Sequence, residues 1–441
     1  MTKVFQIFIR YTIRNIIGMI GLSCYILADT YFIAKGLGAN GLTALNLAIP
    51  VYSFIYGLGM MIGMGGATRY SIEKEIASKQ QTDLVFSHAV WMAVWLSVVL
   101  VGMGVTISRP LAFLLGADAV TVADTSSYLR ITMIFAPMFL INQVLLCFVR
   151  NDKNPGLSMM AMLIGSFANI VLDYILIFPL QLGMFGAALA TGCSPIVSML
   201  ILSVHFWKKQ NGFSLKKIKW QKKRITDIVI LGLTSFVGEI SSGIVIIVFN
   251  LIILDLTGNV GVAAYGIVAN ISLVAIAIYN GLAQGVQPII SEAYGMGNSS
   301  TVKLTYRYAV ITEILLAIAI YGLVFGFSEP IVALFNEEKN AVLAEIASLG
   351  LKQYFTAFLF AGFNIVTTVF LNSIDQPRKA FTISIVRGFI VITLLAFIMS
   401  KLFGMSGVWF SFPVCEGITT ILSVFLIYFQ KKKRTEIRKT T

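Results

Sequence analysis

Leu27-Ala-Asp-Thr-Tyr-Phe-Ile-Ala-Lys-Gly-Leu-Gly-Ala39 closes the first long apolar run of the chain, which begins near Tyr11. Asp29 lies inside this run. A carboxylate at the centre of a membrane helix costs roughly 2.5–3.5 kcal/mol on insertion scales. Such a residue normally faces a cavity or a partner and marks an ion or proton path. The alternative is a buried aspartate that only caps or braces a helix. Evidence from the remainder of the chain is needed to choose between an ion path and a structural role.

The composition is that of a membrane protein. Of 441 residues, 57% are hydrophobic and only 12% are charged, with a mean hydropathy of +0.86. Soluble proteins carry about 25% charged residues. The apolar runs are about 20 residues long and do not alternate, which excludes a barrel and predicts membrane-spanning helices. No cleavable signal is evident, because the run from Tyr11 lacks a small-x-small cleavage site and is typical of a retained span.

The rarer residue types argue against an enzyme or a metal protein. All four cysteines fall inside apolar segments, which favours packed free thiols over disulfides or a metal site: Cys24, Cys147, Cys193 and Cys415. The two histidines, His88 and His205, are far apart in the chain. The sequence contains no His-Glu-x-x-His motif and no Ser–His arrangement typical of catalysis.

The hydrophobic pattern predicts twelve spans, near residues 11–34, 44–68, 85–107, 128–148, 157–179, 184–206, 226–254, 263–288, 304–327, 349–372, 380–401 and 406–429. Charge placement tests this count. If the termini and the even-to-odd connections are cytoplasmic, they hold 27 of the 33 Lys and Arg residues. The exceptions are Lys35, Arg109, Arg130, Lys339, Lys352 and Lys401. The positive-inside rule therefore predicts that both termini are cytoplasmic, and it accounts for the net charge of +13 without nucleic acid.

The longest basic connection divides the spans six and six. We predict an N-terminal lobe (1–206), a basic cytoplasmic linker (207–224), a C-terminal lobe (225–430) and a basic cytoplasmic tail (431–441). The basic residues of the linker and of the Lys431–Arg434 run indicate topology. The alternative is a patch that binds lipid headgroups.

The two halves repeat each other at an offset of 220–222 residues. The matched pairs are Gly38 with Gly258, Gly41 with Gly261, Gly65 with Gly285, Ser71 with Ser291, Asn142 with Asn364, Pro155 with Pro377, and Gly183 with Gly404. Matches in one order over half the chain indicate duplication. Because six spans is an even number, both copies start on the same side. We therefore predict an all-α polytopic fold in which two six-helix lobes, related by a pseudo-two-fold axis along the membrane normal, enclose a central cavity.

Four polar residues of the first half form a candidate ion site. Asn169 and Asp173 are spaced by four residues and share one helix face, and Thr191 follows in the next span. With Asp29 they offer two carboxylates, a carboxamide and a hydroxyl. These are hard oxygen ligands of the type that holds Na⁺-like ions, and close carboxylates can share a proton. The alternative is that Asn169 and Asp173 brace the helix hairpin.

The second half offers candidates for a substrate cavity. Glu239 lies one-third of the way into the seventh span, and Gln284, Gln287 and Asn364 are plausible hydrogen-bonding groups. They could equally join helices to one another.

The residues resemble the MATE (multidrug and toxic compound extrusion) transporters of the MOP flippase superfamily. The likeness is carried by Ala28-Asp-Thr-Tyr-Phe-Ile-Ala-x-Gly-Leu-Gly, by Asn169-x3-Asp173 with Gly186-Ala-Ala-x-Ala-Thr191, and by Gly285-Val-Gln-Pro288 with Tyr294-Gly. It covers nearly the whole chain and both halves.

The resemblance implies a multidrug efflux antiporter that alternates between inward and outward openings. The family exports bulky, often cationic organic compounds in exchange for Na⁺ or H⁺. Its first-lobe cation site maps onto Asp29, Asn169, Asp173 and Thr191. Glu239 matches an acidic position of the sodium-coupled branch, but the tenth span offers Asn364 and no mid-span carboxylate. The expected partners are small organic cations and the lipid bilayer, not nucleic acid. No cofactor is expected beyond the coupling ion, and no metal beyond Na⁺ at the coupling site. We expect a monomer in the cell (plasma) membrane.

The rival interpretation is a lipid-linked saccharide flippase of the same superfamily. Such flippases resemble MATE proteins in lobe design, but usually carry extra spans and several cavity arginines that hold pyrophosphate. Arg387 is the only arginine well inside a predicted span here, and no third pair of spans is evident. The sequence therefore favours antiport.

Overall fold

The computed structural model describes residues 3–336 and 340–440, with side chains to residue 428. Lys339 and the side chains of the basic tail lie outside this description. Within it the chain forms helices and no strands. The helices are α1 Lys3–Glu73, α2 Lys79–Leu114, α3 Val122–Ile134, α4 Ala136–Asn151, α5 Pro155–Ile177, α6 Gly183–Trp207, α7 Lys222–Gly295, α8 Ser299–Gly326, α9 Ser328–Phe335, α10 Ala341–Tyr354, α11 Phe358–Ser373, α12 Pro377–Ile385 and α13 Val391–Thr440.

Three helices are each two helices joined at a glycine. The breaks are at Gly38 in α1 (φ 67°, ψ −160°), Gly258 in α7 (φ 67°, ψ −159°) and Gly404 in α13 (φ 57°, ψ −135°). Residues with a Cβ rarely adopt this backbone region. The sequence predicts connections of several residues between the spans at these places. In the structure, a single glycine interrupts the helix at each of them. The nearly identical angles at Gly38 and Gly258 confirm the internal repeat.

The count of spans agrees with the sequence. By length and composition, eight helices of the described chain could cross a membrane, or nine if α3 and α4, bent by 48°, form one span. Among the described residues, dividing α1, α7 and α13 at their glycines brings the number to twelve. Large apolar side chains such as Trp95, Val99 and Leu315 are more than half exposed, as lipid-facing residues are. The all-α polytopic fold is thus confirmed.

The chain forms two compact units, Met1–Gly243 with Gln284–Thr305, and Ile244–Ala283 with Tyr306–Thr441. This division differs from the predicted lobe limits, because both ends of α7 pack with the first unit. At the N-terminal end of α7, the reason is close backbone contact at two glycines. A Cβ on Gly65 would lie 1.9 Å from the Ile228 carbonyl oxygen, and one on Gly232 would lie 1.8 Å from that of Met61. The lobe limits themselves stay a prediction.

The basic linker is fastened to the first unit. Ser214 donates to both carboxylate oxygens of Asp83, from its N–H (2.7 Å) and from its hydroxyl (2.8 Å). The Gly212 N–H donates to Asp152 Oδ2 at 2.6 Å. Phe213 is fully buried, whereas Lys217 and its lysine neighbours are exposed. The linker therefore packs the Phe213 side chain inward and leaves its lysines facing outward.

Asp152 joins the linker to two helices of the first unit. Tyr70 donates to Asp152 Oδ1 at 2.6 Å, and His205 Nε2 lies 2.9 Å from Oδ2. Burial alone would raise the pKa of this carboxyl, but the hydrogen bonds from His205, Gly212 and Tyr70 outweigh it and hold the pKa below its usual range. The ionised form is the one that the folded protein stabilises.

We therefore expect Asp152 to make the free energy of unfolding fall as the pH becomes acidic. A carboxyl with a lowered folded-state pKa contributes stability above its unfolded pKa of about 4, and loses it as the pH falls through the folded value. In thermal unfolding scans between pH 7 and pH 3, the wild type should lose stability more steeply below pH 4 than Asp152→Asn. Asp255→Asn, which alters an exposed carboxyl, is the control. Parallel curves for the wild type and Asp152→Asn would contradict this prediction.

Candidate functional site

The structure brings the two acids of the predicted ion site together. Asp29 comes from the first half of α1 and is 7% exposed, and Asp173 comes from α5 and is fully buried. Their carboxyl groups lie within hydrogen-bonding reach of each other. One oxygen of each, Asp29 Oδ1 and Asp173 Oδ1, is buried without a hydrogen-bond donor. A hydrogen bond between two carboxyl groups requires that one of them carry a proton.

Asn169 and Thr191 complete the same cluster. With the Asn169 amide oriented to satisfy its neighbours, Nδ2 donates to Asp173 Oδ2 at 3.0 Å and the oxygen accepts from the Thr191 N–H at 3.3 Å. The Thr191 hydroxyl donates to the Ala187 carbonyl at 3.1 Å. All four predicted residues are thus neighbours, on α1, α5 and α6. Their role in ion binding stays a prediction.

A group of tyrosines beside the acids was missed by the sequence interpretation. The hydroxyls of Tyr25 and Tyr52 are 2.7 Å apart. Tyr128 of α3 is buried close to the Thr191 side chain, and Tyr56 lies close to Gln143. The signal was present as a spacing of four residues, which places Tyr25 on the helix face of Asp29 and Tyr52 on that of Tyr56.

A cavity opens inside the first unit next to this cluster. The space between its lining side chains, including the part that opens to solvent, is about 650 Å³. The lining is aromatic, sulfur-containing and polar: Met19, Leu22, Tyr25, Tyr52, Tyr56, Met60, Phe139, Asn142, Gln143, Leu146, Cys147, Arg150, Ala161, Met162, Gly165, Ser166, Thr191, Ser194, Pro195, Ser198 and Gln284. Thr191 belongs to both the cavity and the ion-site cluster. A ligand in the cavity therefore lies close to the acids.

The predicted cavity residues of the second half divide into different environments. In the described part of the chain, Gln284 lines the cavity but Gln287 and Glu239 do not. Gln287 donates instead to the hydroxyls of Thr68 (3.0 Å) and Ser291 (3.2 Å). Glu239 packs against Gly57, close enough to Tyr52 and Tyr56 to interact with them electrostatically.

Asn364 belongs to a polar network within the second unit. Its Nδ2 donates to Glu416 Oε2 at 2.7 Å, and its oxygen accepts from the Ser423 hydroxyl at 3.0 Å. Glu416 also pairs with Arg387, which lies in a π-helical turn, Val386–Ile390. The amide of Asn364 is therefore occupied by neighbours of its own unit. Sequence reasoning did not find this ion pair, because its two members are distant in the chain.

The cluster around Asp29 has the chemistry of a proton or monovalent-cation site. Two carboxyl groups in contact cannot both be ionised without a cation between them, because like charges at this distance repel. Carboxylate, amide and hydroxyl oxygens are ligands for hard cations. No group of three or more His, Cys, Asp or Glu side chains arranged to hold a metal ion occurs among the described residues. The site can therefore hold one proton or one small cation.

Twelve apolar segments in repeated halves, with a buried acid pair beside a cavity, define a polytopic membrane transporter rather than an enzyme. The family model described as MatE matches residues 15–175 and 235–398. The chain therefore belongs to the MatE family. MATE transporters are ion-coupled and need no cofactor.

Relatives and solved structures match this chain over nearly its full length. The chain is 28% identical to the multidrug export protein MepA of Staphylococcus saprophyticus over 436 residues, covering 98% of this chain and 96% of that protein. It superposes with a TM-score of 0.90 on an outward-facing multidrug resistance MATE transporter of the MOP superfamily, at 23% identity and full coverage of both chains. A MOP superfamily transporter from Pyrococcus furiosus, whose pocket is described as having reversed polarity, also superposes with a TM-score of 0.90, at 23% identity over 97% of this chain and 96% of the other.

Proposed function

We propose that the protein is a multidrug efflux antiporter that exports bulky organic cations in exchange for H⁺ or Na⁺ by alternating access. The contact between the carboxyl groups of Asp29 and Asp173 carries this proposal. Two buried acids that touch must bind a cation or a proton to remain buried. A site that alternately holds and releases such an ion is what coupling requires.

The cavity supports the choice of substrate. Tyr25, Tyr52, Tyr56 and Phe139 line it, and aromatic rings attract organic cations. Methionine side chains adapt to ligands of different shape. The MepA relatives are named as multidrug export proteins, which supports the same substrate class for this chain.

The ion and the drug would be coupled through charge. When the acid pair is empty of its ion, its negative charge favours a cationic drug in the neighbouring cavity. Binding of a proton or Na⁺ removes that attraction and favours release. A coupling ion can bias the two conformations only by its different affinity for each, so the acid pair has to be accessible from opposite sides in the two states. The direct contact of the two carboxyl groups favours the proton as the ion held in this conformation.

The setting proposed for this cycle is the cell membrane. The distribution of basic residues supports two cytoplasmic termini. We propose that the protein works there as a monomer, without nucleic acid as a partner.

Transport in proteoliposomes tests the proposal. With ethidium inside the vesicles, we expect an inward H⁺ gradient or an inward Na⁺ gradient to drive dye out, and an ionophore that collapses the effective gradient to stop it. Protein-free vesicles are the control. The gradient that works names the ion. If correctly inserted protein gives no efflux with either gradient, antiport is wrong, and transport of lipid-linked saccharides becomes the function to test.

A further inference from the structure

The basic linker lies along α2 at a defined depth. The Lys216 N–H donates to Ser87 Oγ at 2.9 Å. The Gln221 N–H donates to His88 Nε2 at 3.2 Å. Ser87 and His88 lie just inside the start of the predicted third span (85–107), and at a rise of about 1.5 Å per residue they are within roughly 5 Å of it. The linker backbone is therefore held at the depth where the headgroups of a bilayer meet its hydrocarbon core.

The linker carries positive charge without counter-charges of its own. Seven of its lysines are exposed. In the described part of the chain none of the seven forms an ion pair, and the sequence contains no Asp or Glu between His205 and Asp227. Its one arginine, Arg224, pairs instead with Glu73. The lysines thus leave a positive surface that an anionic partner can neutralise.

Large apolar side chains are exposed beside these lysines. Trp207 is 78% exposed, Leu215 54% and Trp220 48%. The Trp220 ring makes a T-shaped contact with that of His88, with centroids 6.1 Å apart, so it lies at the same depth. Tryptophan is enriched where a membrane meets water, and lysines beside exposed apolar side chains are typical of segments that lie on a membrane surface. A topology signal alone would need the lysines, but neither the exposed tryptophans nor a backbone held in place.

We propose that the linker is a binding site for the headgroups of anionic phospholipids in the adjacent leaflet. The lysines attract the phosphate groups, and the exposed tryptophans and Leu215 lie among the headgroups. The burial of Phe213 and the bonds of Ser214 to Asp83 already fix the backbone, so binding orders little that is not ordered before. The site does not depend on antiport or on the identity of the exported compound.

Quenching of tryptophan fluorescence by brominated lipids tests the proposal. The background is Trp91→Phe/Trp95→Phe, which removes two exposed tryptophans of α2. Trp207 and Trp220 then report on lipid at the linker, because the remaining tryptophan, Trp409, is fully buried. In phosphatidylcholine bilayers, brominated phosphatidylglycerol should quench more than brominated phosphatidylcholine at the same low fraction. We expect a relative binding constant of roughly five-fold or more in favour of phosphatidylglycerol.

The linker variant is Lys216→Gln/Lys217→Gln/Lys219→Gln, made in the same background. All three side chains are exposed, and the backbone bond from position 216 to Ser87 remains available, so the variant should fold. Its relative binding constant should fall towards one, because three of the charges that attract the lipid are gone. Added sodium chloride should lower the preference of the unchanged linker, since salt screens exposed charges.

The matched control, Lys35→Gln/Lys303→Gln/Lys401→Gln, removes three exposed lysines that lie outside the linker and should keep the preference. Equal quenching by the two lipids with the linker unchanged, or an unchanged preference in the linker variant, would overturn the proposal. If inorganic phosphate removes the preference at an ionic strength at which sodium chloride does not, the lysines bind free phosphate and the lipid site is wrong. No ion gradient is used, so failure of antiport and failure of the lipid site give different results.

Discussion

Asp29→Asn is expected to abolish gradient-driven drug efflux while leaving the protein folded and inserted. Asparagine has nearly the same shape as aspartate, but its amide replaces one acceptor oxygen by an NH2 donor and cannot take up or release a proton. In the wild type, Asp29 touches Asp173, and both are buried. In the proposed mechanism, the site without the second carboxyl group loses the like-charge pair that requires a bound ion. The link between ion and drug then disappears, and we expect efflux to fall by roughly ten-fold or more, as for loss of a typical coupling free energy.

The measurement is ethidium efflux from proteoliposomes at matched protein density, with thermal unfolding used to show that the variant is folded. Asp255→Asn makes the same chemical change at an exposed carboxyl and should transport like the wild type. Asp173→Asn should resemble Asp29→Asn, and the double variant should be no worse than either single one, because residues that act as a unit give non-additive losses. Full efflux by Asp29→Asn would show that the acid pair only braces the helices.

The architecture and the members of the ion-site cluster could be predicted because both leave local signals. The apolar runs have the length of a membrane span, and a lone acid inside one is conspicuous. Asn169 and Asp173 are four residues apart, so their shared helix face follows from helix geometry alone. The repeat of Gly38 at Gly258 appeared as a sequence offset and reappeared as nearly equal backbone angles.

What the sequence could not predict depends on contacts between distant segments. Arg150 lies just after the predicted fourth span, and no local pattern shows that its side chain donates to Gln284 Oε1 and contacts Met64 Sδ. The glycine breaks replaced predicted connections, because a single residue in a backbone region open to glycine can interrupt a helix. Likewise, nothing local to Gly65 or Gly232 shows that they allow two helix backbones to touch.

Phe213 is the second position at which a large effect is expected, here on stability. This linker side chain is fully buried among five aromatic rings whose centroids lie 4.4–6.1 Å from its own: Phe86, Phe148, Tyr70, Phe206 and His205. Replacing a buried phenylalanine by alanine typically costs about 3–5 kcal/mol, because the lost apolar contact adds to the cost of the cavity left behind.

We therefore expect Phe213→Ala to lower the unfolding temperature of the purified protein markedly. Leu215→Ala shortens a side chain of the same linker that is 54% exposed, and it should change stability by less than about 0.5 kcal/mol, as surface substitutions do. The comparison separates the effect of burial from that of chain position, since both residues lie in the same segment between α6 and α7. Because the Ser214 hydrogen bonds to Asp83 flank Phe213 and remain available in the variant, the loss measures the aromatic contact itself. Equal unfolding temperatures for the two variants would mean that the linker lies on the first unit without stabilising it. The Phe213 contact would then have no role in folding stability.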